Sequence, residues 1–155
     1  MSDRIILRSL RATDKNDVFD LLMDPDVMAY LGPKRALKQN EAQQWFEDEL
    51  LSPSRYVVAL QGNDQLIGFC GVKVIAGIND FGYFLRKKFW SKGYASESCL
   101  LAIQKLQQEI DVSRLQIFIA KQNIGSLSLA YKLDWLQLSE TVKDGEQGYY
   151  FQISI

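Results

Sequence analysis

The stretch from Asp80 to Glu97 reads Asp-Phe-Gly-Tyr-Phe-Leu-Arg-Lys-Lys-Phe-Trp-Ser-Lys-Gly-Tyr-Ala-Ser-Glu, and it holds the residues best placed to do chemistry. Its pattern is a strand, a basic turn and the start of an amphipathic helix. Gly93 and Ala95 stand where a backbone can come close to a ligand. The first amides of a helix have no acceptor within it, so a helix start lined by small residues offers N–H groups to an anion. Arg86, Lys87, Lys88 and Lys92 gather in the same turn, although the chain carries a formal net charge of −1. Like charges this close repel unless they are spread into water or shared with an anion. The pattern is that of a diphosphate cradle. A Gly easing a turn beside an Ala that packs closely would give the same tripeptide. No GxGxxG follows the strand and no GxxxxGKS/T occurs. The cradle therefore suits a phosphorylated cofactor other than NAD or ATP.

Composition narrows the chemistry. The chain has no His. That removes Ser-His-Asp and Cys-His catalysis and the commonest metal ligand, so no metal is expected. Cys70 and Cys99 lie in apolar contexts without a CxxC and are expected as reduced core thiols. The net charge argues against a nucleic-acid partner held by a broad basic face. No apolar run reaches the ~20 residues that a bilayer requires. The opening Met-Ser-Asp-Arg-Ile-Ile-Leu-Arg alternates charged and apolar residues too early for a signal peptide. The expectation is a cytoplasmic protein with no membrane partner.

The elements that must position the turn follow from periodicity. No repeat or linker is visible, and the 155 residues fit one domain over 1–155. Ile5 to Leu10 suits a first strand. Thr13 with Asp14 and Asp17 marks a helix start, and Val18, Leu21 and Leu22 form its apolar face. Pro25 ends that helix, and Val27 to Tyr30 suggests a short turn. Asn40 to Leu51 is a helix. Tyr56 to Leu60, Leu66 to Ile75 and Phe81 to Arg86 read as an antiparallel meander, turning at Gly62-Asn63-Asp64 and Gly77-Ile78-Asn79. A long helix from Tyr94 to Glu109 leads to a strand at Leu115 to Ala120. This β-α-β order predicts that the two flanking strands are parallel neighbours. Ser126 to Leu133 is a short helix. Trp135 to Thr141 and Tyr149 to Ile153 close as a hairpin around Lys143-Asp144-Gly145-Glu146.

In this order, several segments resemble the GNAT superfamily of acetyl-CoA-dependent N-acetyltransferases, in the branch of ribosomal-protein alanine N-acetyltransferases. The segments are Ile6-Leu7-Arg8-Ser9-Leu10-Arg11-Ala12-Thr13-Asp14, Met23 to Met28 with Tyr30-Leu31-Gly32, and Leu66-Ile67-Gly68 with Gly71. The others are Phe89 to Glu97, Asn123-Ile124-Gly125-Ser126, and Lys132-Leu133-Asp134-Trp135. The chain departs from the family loop at Trp90, where Gln or Arg is usual, and at Ser91, which replaces a Gly. Asp134 replaces the Gly of the late Lys-Leu-Gly-Phe signature.

The resemblance implies an α+β fold layered α/β/α. Its central sheet would be mixed, mostly antiparallel and about seven-stranded, with helices on both faces and a splayed central strand pair. Acetyl-CoA would lie in the splay. Backbone groups of Phe84, Leu85 and Arg86 would pair with the pantetheine arm. Ser91, Lys92, Gly93, Tyr94, Ala95 and Ser96 would hold the diphosphate, and Asn123 would reach the pantetheine amides. Asn123 and Ser126 also suit helix capping. Direct attack by a neutral amine on the thioester needs a proton acceptor, for which Asp80 is the first candidate; a turn-capping role would also explain it. Ser126 is a candidate donor to the leaving sulfur. Many relatives use a Tyr at the position of Ala130, and Tyr131 points about 100° away from it. The acceptor amine is a peptide N-terminus or a small amine such as a polyamine or antibiotic. A non-catalytic acyl-CoA-binding module and a plain phosphate-ligand domain stay open, as does a monomer or a homodimer.

Overall fold

The computed structural model describes residues 3–154. Strand β1 (Ile5–Arg8) and a 3-10 turn at Ala12–Asp14 lead into helix α1 (Lys15–Leu22). A second 3-10 turn at Val27–Tyr30 follows Pro25 and precedes α2 (Gln39–Leu51). Strands β2 (Tyr56–Leu60), β3 (Leu66–Ile75) and β4 (Ile78–Leu85) form the expected meander, and β1 pairs with β2. Helix α3 (Tyr94–Leu106) is followed by β5 (Gln116–Ala120), α4 (Ile124–Lys132), β6 (Leu136–Lys143) and β7 (Glu146–Gln152). The seven strands form two antiparallel sheets, ordered β1-β2-β3-β4 and β5-β7-β6.

Strand alternation divides the core. Along β2, Val57 and Ala59 pack with Val18, Leu21 and Leu22 of α1 and with Ala42 and Phe46 of α2. Val58, between them, packs on the other face with Cys99, Ala102 and Ile103 of α3 and Leu129 and Ala130 of α4. Successive side chains of a strand point to opposite faces, so one apolar run serves two helical layers. Each fully buried aliphatic side chain contributes about 1.5–3 kcal/mol. The layered α+β architecture is as expected, with helices on both faces.

The central strand pair is splayed, as the resemblance implies. Strands β4 and β5 are neighbours, but they belong to separate sheets and no ladder joins them. The end of β4 is held on its other side. The Arg86 amide donates to Ile67 O at 2.8 Å, and its guanidinium reaches Asp20 at 2.8 Å, Asp17 at 3.2 Å and Leu66 O at 2.9 Å. Those bonds tie the strand end to β3 and α1.

Several boundaries also differ. Strand β1 stops at Arg8, not Leu10, because the Arg8 side chain turns into ion pairs with Asp14 and Asp64, each at 2.8 Å. Thr13 lies inside the first 3-10 turn, and Asp14 Oδ2 accepts from the Arg11 amide at 2.8 Å. The β3–β4 turn is Ala76-Gly77, with φ +50° and +79°, so Ile78 and Asn79 already lie in β4. Helix α3 ends at Leu106 rather than Glu109. Helix α4 starts at Ile124, ahead of Ser126, because Asn123 caps it: Asn123 Oδ1 accepts from the Ser126 amide at 3.3 Å.

Helix α4 closes on a left-handed residue. Trp135 N–H donates to Ala130 O at 3.0 Å and Asp134 N–H donates to Tyr131 O at 3.1 Å, the bond pair of a Schellman motif. Asp134 holds φ +56°, at the position where the resembling signature has Gly. A β-carbon there is unfavourable by about 1 kcal/mol, part of which Gly loses again through the freedom of the unfolded chain. Asp134→Gly is expected to stabilise the fold by about 0.5 kcal/mol, read as a rise in denaturant midpoint at unchanged slope.

Candidate active site

Two cavities meet where the sheets part. The larger, about 690 Å³, runs from the β4–α3 turn past the first turn of α3 to Lys132 of α4. The smaller, about 520 Å³, lies among the Tyr30–Lys34 loop, α2, the β3–β4 hairpin and the β6–β7 turn. Both are lined by Tyr30, Leu31, Tyr83, Phe84, Asn123 and Ser126. A molecule lying in the first can thus present its end to a molecule lying in the second.

The turn that feeds the larger cavity is shaped by backbone conformation. Ser91 holds φ +60° and Gly93 φ +84°. Gly93 is the residue before α3, so the Tyr94, Ala95 and Ser96 amides have no acceptor within the helix. Arg4 braces this loop. Its Nη2 donates to Lys92 O at 2.9 Å and to Glu97, and its guanidinium lies over the Tyr94 ring at 4.1 Å. A β-carbon on Gly93 would sit 3.3 Å from that nitrogen, in a conformation that side chains avoid. The Ser96 hydroxyl donates to Gly93 O at 3.1 Å and accepts from Lys132 Nζ at 3.2 Å. Free amides, a bare glycine and a lysine at the cavity edge fit a diphosphate.

The basic cluster is thinner than its residue types suggest. The Arg86 guanidinium is spent on α1, and Lys87 pairs with Asp26. Lys88 and Lys92 are exposed.

The backbone of β4 also divides its groups. The antiparallel ladder pairs Phe84 with Phe69, and the Arg86 amide belongs to Ile67. In such a ladder alternate residues turn their N–H and C=O outward, which here are Tyr83 and Leu85. The Leu85 carbonyl already accepts from Trp90 Nε1 at 2.9 Å. Trp90 thus serves the loop through its indole N–H.

At the junction, Tyr83 O–H donates to Ser126 Oγ at 2.9 Å, bridging β4 and α4. Burial pushes the Tyr83 phenol well above its ordinary value, so it stays protonated and can donate. Asn123 stands beside it, its Oδ1 engaged as the cap. Asp80 lines the smaller cavity at the start of β4. Its Oδ2 accepts from Arg55 Nη2 at 2.6 Å. Burial lowers the Arg55 guanidinium pKa, against the nearby Asp80 charge that raises it.

Of the residues expected from the sequence, Phe84, Leu85, Ser91, Gly93, Tyr94, Ala95, Ser96, Asn123 and Ser126 line the larger cavity. Arg86 turns its side chain to α1, and Lys92 contributes its carbonyl to the brace. Tyr131 lies outside both cavities, with its hydroxyl on Gln137 at 2.9 Å. Tyr83, Arg4, Arg55 and Lys132 were missed. For Tyr83 a signal existed: it shares a strand face with Phe81 and Leu85, which puts a hydroxyl among apolar residues.

Among the described residues, no group of three or more His, Cys, Asp or Glu could hold a metal ion, and no helix is long and apolar enough to cross a membrane. Residues 4–135 match the family model of the acetyltransferase (GNAT) domain. The uncharacterized N-acetyltransferase p20 of Bacillus licheniformis is 25% identical over 142 residues, covering 86% of this chain and 80% of that protein. A GNAT-family acetyltransferase from Bacillus anthracis superposes with a TM-score of 0.81 at 22% identity, over 99% of this chain and 96% of that one. The spermidine N-acetyltransferase of Vibrio cholerae, solved with CoA and spermine, superposes with a TM-score of 0.74 at 16% identity, over 98% and 96%.

The Tyr83–Ser126 bond has a measurable worth. Tyr83→Phe keeps the ring and removes the donor, and is expected to lower unfolding free energy by about 1 kcal/mol in denaturant titration.

Proposed function

The chain belongs to the GNAT acetyltransferase family, and on that premise we propose that it transfers an acetyl group from acetyl-CoA to a primary amine at a protein N-terminus, as ribosomal-protein alanine N-acetyltransferases do. The observation that carries this reading is the meeting of two cavities at Tyr83, Asn123 and Ser126, one of which ends on the free amides of α3.

In this reading the Tyr94, Ala95 and Ser96 amides bind the diphosphate, with Ser91, Lys92 and Gly93 shaping the loop. Outward backbone groups of Tyr83 and Leu85 hold the pantetheine arm like an added strand, and the Phe84 side chain packs beside it. Asn123 donates to an arm carbonyl. The arm brings a thioester, an acyl carbon with a sulfur leaving group, to the junction. The residues of the smaller cavity hold the amine nitrogen against that carbon, which supplies much of the rate through position alone. As the C–N bond forms and the C–S bond breaks, Asp80 receives the nitrogen's proton on the oxygen not given to Arg55, directly or through water. Ser126 gives its proton to the departing sulfur and regains one from water as Asp80 releases its own to water, while Tyr83 stays protonated and orients the Ser126 hydroxyl. One proton leaves nitrogen and one reaches sulfur, so the exchange balances.

Two variants test the two halves. Gly93→Asp puts a strained side chain and a negative charge at the cradle. It is expected to abolish the thermal stabilisation that CoA gives the wild-type chain, a loss of at least tenfold in affinity. Retention of that stabilisation by a folded Gly93→Asp variant would refute the diphosphate site. Asp80→Asn is expected to lower kcat by about 10²-fold with little change in CoA affinity. An unchanged pH–rate profile would remove Asp80 from proton transfer.

A further inference from the structure

A side chain from the start of the chain reaches the turn into α3 from behind. Arg4 precedes β1 and does not line the larger cavity, yet it touches three residues of that turn. Its Nη2 donates to Lys92 O at 2.9 Å and to the Glu97 carboxylate, and its guanidinium covers the Tyr94 ring at 4.1 Å. The loop has few ties of its own. Its near end is fixed where Trp90 Nε1 donates to Leu85 O and the Trp90 amide donates to Lys87 O. Further on, Ser91 and Gly93 hold φ +60° and +84°. Among the described residues, Ser91 and Lys92 make no hydrogen bond beyond the one that Lys92 O accepts from Arg4. Backbone in such conformations persists only where its surroundings fix it.

Glu97 sets a second requirement. It lies in the first turn of α3, the end that offers the Tyr94, Ala95 and Ser96 amides to an anion. A carboxylate there is drawn to the same helix end and repels a bound diphosphate. Arg4 pairs with it and cancels that charge. The pair is open to water, with side chains 42% and 31% exposed, so it adds little to the stability of the fold. Its consequence falls on the ligand. We infer that Arg4 is a positioning residue for the cofactor: it fixes the turn at Lys92 and Gly93 that aims the free amides, and it neutralises Glu97 so that a diphosphate can approach them. This inference rests on the diphosphate reading of the α3 site and adds to it a residue that holds the loop instead of the ligand.

Calorimetric titration of CoA into the full chain and its variants tests this role. Arg4→Met removes the guanidinium, and is expected to weaken CoA binding about tenfold while the denaturant midpoint is unchanged. Glu97→Gln removes the repelling charge and keeps the Lys92 bond, and is expected to stay within about twofold of wild type. In the double variant Arg4→Met, Glu97→Gln the uncompensated carboxylate is gone, and about threefold of the lost affinity is regained. A merely structural prop gives a different pattern: Glu97→Gln loses as much as Arg4→Met, and the double variant binds no better. Either of those results, or full CoA affinity in a folded Arg4→Met, overturns the inference while the diphosphate site stands. Should Arg4→Met not fold, Arg4→Lys takes its place. It keeps the charge against Glu97 but lacks the fork that reaches two acceptors, so a loss of about threefold is expected, and wild-type affinity overturns the inference. A wild-type chain that does not bind CoA is a separate result: it removes the diphosphate reading itself, and the inference falls with it.

Discussion

The buried guanidinium of Arg86 governs where β4 ends. It satisfies Asp17, Asp20 and the Leu66 carbonyl at once, while its own amide belongs to Ile67. The guanidinium is buried while Asp17 and Asp20 reach solvent, so the strand end is tied to α1 by partly screened pairs together with the bond to the Leu66 carbonyl. Beyond it, β4 and β5 lie in separate sheets. The outward backbone groups of Tyr83 and Leu85 then face a gap rather than a neighbouring strand. The cleft thus opens on the face of β4 opposite to that ion pair.

The two-sided core explains why both cavities reach one junction. Helices α1 and α2 cover one face, and α3 and α4 cover the other. The strand edge between them belongs to neither layer. A ligand entering along α3 and one entering beside α2 therefore converge at the same edge, and only residues at that edge can touch both. Tyr83 and Ser126 bridge it, and Asn123 stabilises the helix from which Ser126 projects.

Much of this was legible in the sequence. Alternation of apolar residues located all seven strands, and the Gly93 turn lay at the start of α3 as its spacing required. The Asp144-Gly145 hairpin turn was evident from its residue types. What was hidden depends on contacts distant in sequence. Nothing local to Arg86 says that its charge is consumed by α1, so it counted with the lysines of the turn. Nothing local to Arg4 says that it braces a loop 88 residues away. The β-α-β order predicted that β4 and β5 are neighbours, and the splay between them came only from the resemblance. Ser91 and Asp134 stand where the resembling signatures have Gly, and both hold the left-handed conformation a Gly would take. Backbone geometry was kept there although the residue type was not, a substitution that a motif comparison reads as loss.

The indole of Trp90 has an optical consequence. It is 40% exposed on the wall of the larger cavity, tied to Leu85. Trp45 lines the smaller cavity, edge-on to Phe69 at 5.4 Å, and Trp135 is locked in the core at 4% exposure. The three fluorophores thus sit in three compartments. Trp90 and Trp45 report separately on the larger and the smaller cavity.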